Sequence, residues 1–183
     1  MTTIKYKVEF FTDWNCSNGL TGNADIDIAA LRDSDGFPYV PGKTIKGLLR
    51  DAANILNVSP DKKKEIFGSE KQKSANHIDE NTQGKAFFSN AELKGIRDVL
   101  KDDEGKKESL FREIASTAID KKTGVAQDQS LRKVEVVVPV TLFGEIECED
   151  EHRETLLECM KFIKRLGMGR NRGLGRCEIS EVK

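Results

Sequence analysis

Two stretches of the chain place apolar residues on one face of a helix, and segments that alternate with a period of two lie before, between and after them. That order limits the fold more than any other feature. Residues 4–11 open it, with Ile4, Tyr6, Val8 and Phe10 alternating with Lys5, Lys7 and Glu9. Pro38, Pro41 and Gly42 mark a turn into a helix that sets Ile45, Leu48, Leu49, Ala52 and Leu56 on one face. Lys43, Lys46 and Arg50 are left on or near another face. Residues 86–93 form the next strand candidate, and Val134, Val136, Val138, Val140, Leu142 and Ile146 predict one long strand interrupted by Pro139. A second helix opens at Asp150 or Glu151, carries Leu156, Met160, Ile163 and Leu166, and stops at Gly167. Residues 176–182 close the chain as a strand. The order strand, helix, strand, strand, helix, strand predicts an α+β, ferredoxin-like βαββαβ core, the arrangement shared by RNA-recognition folds.

Residues 1–183 are expected to form a single domain with two insertions. Residues 57–85 are polar and Lys-rich with little periodicity and read as a small lid. Residues 112–135 hold a Thr123-Gly124 turn between extended flanks, which predicts a protruding hairpin. The charge run at 101–108 predicts a solvated surface turn.

Charge narrows the function classes. With 30 Lys and Arg against 31 Asp and Glu, the net charge is −1, so the chain is no generally basic nucleic-acid binder. Any RNA site must be local, and residues 161–176 qualify: Lys161, Lys164, Arg165, Arg170, Arg172 and Arg176 occur there without one Asp or Glu. A helix end complementing its dipole accounts for the first three but not for Arg170 to Arg176. Residues near Met1 do not read as a signal peptide, and no apolar run is long enough to span a bilayer, so a cytoplasmic protein without a membrane partner is expected. Cys16, Cys148, Cys159 and Cys177 form no Cys-x-x-Cys pair, which predicts reduced, buried thiols.

Two glycine motifs test nucleotide chemistry. Pro41-Gly42-Lys43-Thr44 opens a helix as a P-loop would, but position 37 is Phe where a Walker A loop needs Gly, and Pro38 and Pro41 remove backbone donors. Residues 167–175 read Gly-Met-Gly-Arg-Asn-Arg-Gly-Leu-Gly between a helix and a strand, the reverse of a dinucleotide loop. Four glycines so close let backbone amides approach a phosphate, while Arg170 and Arg172 supply charge. His77 and His152 have no partner at metal-ligand or acid–base spacing.

The glycine-rich segment is similar to the signature loop of the RAMP superfamily. The stretches at 26–33 and 38–50 resemble the catalytic loop and following helix of the type III CRISPR backbone subunit within that superfamily. Ile66-Phe67-Gly68, residues 84–91, and residues 119–126 resemble its next element and the start of its thumb. Matches in this order cover nearly the whole chain. The resemblance implies a subunit whose copies stack along a guide RNA beside the other subunits of a CRISPR effector complex. It also implies cleavage of the paired target RNA at regular intervals. It puts Asp27 at the cleavage position, with Mg²⁺ or another divalent cation held transiently near it. Spacing alone does not separate Asp27 from Asp25, which share a side of an extended segment; the resemblance falls on Asp27. RNA contacts are expected at Gly167, Gly169, Arg170, Asn171, Arg172 and Gly173 of the glycine-rich loop, at Lys43, Lys46 and Arg50, for which ordinary surface cations are the alternative, and at Lys121, Lys122 and Arg132 of the thumb that the resemblance implies. Residues near Val125 and Ala126 would form the wedge. The rival expectation is a structural RAMP subunit that binds guide RNA and never cuts.

Overall fold

Alternation in the first segment decides the centre of the sheet. In the computed structural model, which describes residues 1–17, 19, 26–69 and 83–182, the elements run β1 (Thr2–Phe10), β2 (Tyr39–Val40), α1 (Gly42–Ile55), α2 (Pro60–Phe67), β3 (Phe87–Phe88), β4 (Ala91–Leu93), α3 (Ile96–Leu100), α4 (Glu104–Glu108), β5 (Phe111–Ser116), β6 (Arg132–Val137), β7 (Thr141–Cys148), α5 (Arg153–Phe162) and β8 (Cys177–Glu181). β1 buries Ile4, Tyr6, Val8 and Phe10 and lies between β7 and β8, antiparallel to both. The main sheet follows the path β2-β4-β7-β1-β8, with β3 also on β7. Counting β3 and β4 as one broken strand, the order is second, third, first, fourth, the antiparallel split βαβ arrangement of a ferredoxin-like α+β fold.

The helices follow their apolar faces. α1 buries Ile45, Leu49, Ala52 and Ala53, and α5 buries Leu156, Cys159 and Met160. They pack on each other, with α5 against β8 and α1 against β3, and their buried residues join β1 and β7 in one core. Leu56 falls past the end of α1 and is 40% exposed. All four cysteines are free and buried, and burial pushes the Cys16 thiol up to about 12. No helix among the described residues is long and apolar enough to cross a membrane.

Several elements depart from the sequence expectation. The long valine-rich strand is two strands in two sheets: among the named strands β6 pairs with β5 alone, and β7 belongs to the core. Pro139 sits at the break, where it has no amide to donate to either ladder. The second helix stops at Phe162 rather than at Gly167. Beyond it the chain pairs with itself, the Leu166 amide donating to Gly175 at 2.8 Å and the Cys177 amide to Lys164 at 3.0 Å. The strand candidate 86–93 breaks at Ser89-Asn90, where the Ser89 amide donates to Glu145 at 3.0 Å and the Ser89 hydroxyl accepts from the Glu145 amide at 2.8 Å. The lid-like insertion begins with α2, capped by the Ser59 hydroxyl and started by Pro60. His77 lies outside the described residues. The charge run at 101–108 includes α4, capped by Asp103, and Lys107 is buried under Phe37 while paired to Glu104 at 2.7 Å. Solvation alone did not anticipate that a lysine stem packs well on an aromatic ring.

Candidate nucleic-acid interface

Residues 13–15 join the parts of the interface. Trp14 stacks on Phe10 and exchanges backbone hydrogen bonds with Val137 of β6 at 3.0 and 2.7 Å. Asn15 is fully buried; its side-chain amide donates to the Glu135 carbonyl at 2.6 Å, and its own carbonyl accepts from Met168 at 2.8 Å. The Asp13 carbonyl accepts from Gly175 at 2.7 Å, while its carboxylate holds Arg112 of β5 at 2.5 Å. The hairpin and the glycine-rich loop are thus tied to the same three residues.

Asp27 is set at the root of that hairpin. Its amide donates to the Lys133 carbonyl at 3.0 Å, and the Lys133 amide donates back to Asp27 Oδ2 at 2.8 Å. Arg132 Nη1 stands 3.4 Å from Oδ1. The Lys133 hydrogen bond, with help from the Arg132 guanidinium, holds the Asp27 carboxyl below its usual range, and the side chain stays 38% exposed. The next residues are fixed by Glu135, a buried carboxylate on β6. Its amide donates to Ile28, Oε2 accepts from the Ala30 amide at 2.9 Å, and Oε1 accepts from Arg32 at 2.7 Å. Arg32 also lies over the Phe111 ring and forks onto Glu108. Sequence reasoning gave Glu135 and Asn15 no role and read Arg32 only as part of the 26–33 resemblance, because their partners are remote in the chain. Asp25 lies outside the described residues.

β5 and β6 form a two-stranded ribbon whose distal part is almost wholly exposed. Its tip is an Asp120 turn: the carboxylate accepts from the Lys122 and Thr123 amides at 2.8 and 2.9 Å, which lowers its pKa. Lys121, Lys122, Val125 and Ala126 sit on this tip, all solvent-facing.

Within the glycine-rich loop, Gly167, Gly169, Gly173 and Gly175 all have positive φ. Two of them are demanded by the protein itself: a Cβ on Gly167 would lie 2.3 Å from the Asn15 carbonyl oxygen, and one on Gly175 would lie 1.9 Å from that of Leu166. The amides of Met168, Arg172, Leu174 and Gly175 are used internally, whereas those of Arg170, Asn171 and Gly173 have no partner among the described residues. Arg170, Asn171, Arg172 and Arg176 are exposed, and Lys161, Lys164, Arg165, Arg170, Arg172 and Arg176 form no ion pair among the described residues. Arg165 is turned onto the Arg170 carbonyl.

The α1 set is dispersed in role. Lys43 is exposed on the rim of a groove it shares with Leu31 and Tyr39. Lys46 is half-buried, and desolvation with Arg50 nearby lowers its pKa. Arg50 donates to the Phe67 carbonyl at 2.6 Å, bracing α2. The helix opening is not a phosphate nest: the Gly42 amide is capped by Asn90 Oδ1 at 3.0 Å, and a Cβ there would strike the Phe88 carbonyl at 2.1 Å.

The RAMP superfamily model matches residues 7–178, from β1 through the glycine-rich loop into β8. The chain belongs to the RAMP superfamily. A search of curated proteins finds no match. Among solved structures, this RAMP chain is similar to a chain of the type III-B Cmr-beta cryo-EM structure bound to cognate target RNA. The TM-score is 0.76 at 10% identity, covering 99% of this chain and 97% of that one. It is similar to the apo state of Cmr-beta with the same TM-score and coverage at 12% identity. At such identity the likeness is one of fold. As a cation site the surroundings of Asp27 do not fit: it offers one carboxylate, both of whose oxygens are engaged, and no other acid joins it in a ligating cluster among the described residues.

Proposed function

We propose that the chain is a backbone subunit of a type III CRISPR interference complex, which binds guide RNA and cleaves complementary target RNA at regular intervals alongside copies of itself and other subunits. The observation that carries the reading is the placing of Asp27. A fixed, partly exposed anionic carboxylate stands at the root of a projecting hairpin with Arg132 beside it, and an acid-free basic loop is anchored to the same hairpin through residues 13–15. The likeness of fold to a chain solved with target RNA supports it. The hairpin tip offers Val125 and Ala126 as a wedge between bases and Lys121 and Lys122 to the backbone. Arg170, Arg172 and the free amides of the glycine loop take guide phosphates, and Lys43 extends the basic track.

RNA carries its own nucleophile. The target 2′-hydroxyl gives its proton to water as its oxygen attacks the adjacent phosphorus, the P–O5′ bond breaks, the leaving 5′-oxygen takes a proton from water, and the products are a 2′,3′-cyclic phosphate and a 5′-hydroxyl. The chain has to hold the attack in line. Asp27 stays ionised and is a weak base at neutral pH, so its part is to accept a hydrogen bond from the 2′-hydroxyl and orient it. Arg132 neutralises the phosphate. Because the surroundings of Asp27 do not make a cation site by themselves, a Mg²⁺ or other divalent ion there would have to draw its ligands from RNA phosphates and water.

Engagement of both Asp27 oxygens by β6 favours the second reading, a structural subunit that grips guide RNA without cutting. Asp27→Asn separates the two, since the amide oxygen still accepts from Lys133 while the charge is lost. In the reconstituted complex it should lower target cleavage at least ~100-fold with guide and target binding kept. Asp25→Ala should still cut, and a 2′-deoxynucleotide at the scissile position should block cleavage. A wild-type complex that binds complementary RNA and never cuts it with any divalent ion establishes the structural reading.

A further inference from the structure

His152 closes the 3₁₀ turn Asp150–His152 before α5 and is only 1% exposed, yet neither ring nitrogen has a hydrogen-bond partner among the described residues. An unpaired buried imidazole is costly and asks for an explanation. Its surroundings are acidic: Nε2 faces Glu65 Oε2 and Glu149 Oε2 at 3.6 Å each and Glu151 Oε1 at 3.9 Å. These separations are too long for hydrogen bonds. They approach the spacing of ligands that share one ion, since tetrahedral donors at bonds of about 2.0–2.1 Å stand about 3.3 Å apart. Ligand atoms of Glu65, Glu151 and His152 all lie within 4.8 Å of one another. Lys85 approaches from outside, 3.8 Å from Glu65 Oε1, 3.2 Å from Glu149 Oε1 and 3.3 Å from Glu149 Oε2, so the Glu65 oxygen facing His152 is clear of it while the Glu149 oxygen facing His152 is shared with it.

We propose that His152, Glu65 and Glu151, with Glu149 as a further carboxylate, form a site for a divalent first-row transition-metal ion, best met by Zn²⁺. An imidazole among carboxylates suits such ions, whereas Mg²⁺ and Ca²⁺ favour all-oxygen sets. Glu65 belongs to α2 and the other three to the approach to α5, so the ion fastens the first helix of the insertion to the core. Because Glu65 is remote in sequence from the other three, the unfolded chain lacks the complete set and binds the ion more weakly, and the metal stabilises the fold by linkage. His152 Nδ1 has no outer acceptor among the described residues, the contact that commonly adds 10- to 100-fold in affinity, so the site should bind more weakly than one with that partner.

Zn²⁺ alone is the probe. Full-length protein stripped with chelator is dialysed against Zn²⁺ and the metal per chain counted, beside Glu65→Gln and the double variant Glu65→Gln/Glu151→Gln. Both substituted side chains are substantially exposed, so melting of all three proteins in chelator should coincide. Wild type should take up one ion per chain with a Kd below about 100 μM and melt a few degrees higher in excess Zn²⁺. The single variant should bind several-fold more weakly and the double variant at least ~10-fold more weakly, with the melting shift gone. Co²⁺ should give a spectrum without a thiolate charge-transfer band. Absence of saturable uptake, unchanged affinity in the double variant, or a thiolate band would each overturn the proposal.

Discussion

The glycine-rich loop and the hairpin, both proposed to meet RNA, differ in what holds their shape. The loop is built against the protein: Gly167 and Gly175 press on the backbone of Asn15 and Leu166, and four of its amides bond internally. The hairpin is held at its root by Trp14, Asn15, Asp13 and Asp27 and by Glu135 with Arg32 and Ala30, and among the described residues its distal part is held by its own ladder, the Ser130–Ala118 contacts and the Asp120 turn. One element has precision with little reach, the other reach with little packing. A phosphate grip needs the first and a wedge that enters a helix needs the second.

The largest break in this comparison is expected at the loop's internal contacts. Gly175→Val puts a Cβ onto the Leu166 carbonyl in a left-handed conformation and should cost about 3 kcal/mol or more in urea denaturation, enough to unfold much of the protein. Next comes Arg170→Ala/Arg172→Ala, which leaves the fold unchanged. It should weaken guide RNA by roughly 10- to 100-fold and make the salt dependence shallower by about one to two in log–log slope, read by filter binding. An unchanged slope would remove the loop from the phosphate site.

Gly173→Ala sharpens the contrast within the loop. Its Cβ meets nothing within 4 Å, so only the positive φ opposes it, and the cost should be about 1 kcal/mol. Replacing residues 121–129 with a short Gly-Ser turn should change stability by about 0.5 kcal/mol or less, since nothing packs on the tip. The same change should blur the spacing of target-cleavage products, and an intact ladder of products would show that the tip is not the wedge. The smallest effect concerns pH. The folded Asp27 pKa is depressed, so its tether to Lys133 is fully present above the unfolded value of about 4 and is lost only as pH falls through the lower folded value. An NMR titration of the Lys133 amide should therefore be flat at and above neutral pH and move only below the ordinary Asp range.

Sequence fixed what is local or periodic. Ile4, Tyr6, Val8 and Phe10 announced the central strand, Ile45, Leu49 and Ala52 the buried side of α1, and Thr123-Gly124 the end of the hairpin. The basic run without acids was readable by composition, and the order of elements determined a ferredoxin-like core because each periodicity can bury its face in only one layer. Matters of partnership were decided by the tertiary structure. Whether 134–146 is one strand or two depended on β5 and Trp14 claiming β6 while β1 claimed β7. Where the second helix ends depended on residues 164–166 finding 175–177. Arg50 was drawn to Phe67, Glu135 to Arg32 and Ala30, and His152 to the Glu65 carboxylate, 87 residues earlier in the chain. Hydrogen bonds and ion pairs form between atoms that the fold brings within about 3 Å, and a sequence orders residues by chain distance alone, so it carries each donor and acceptor but not the pairings.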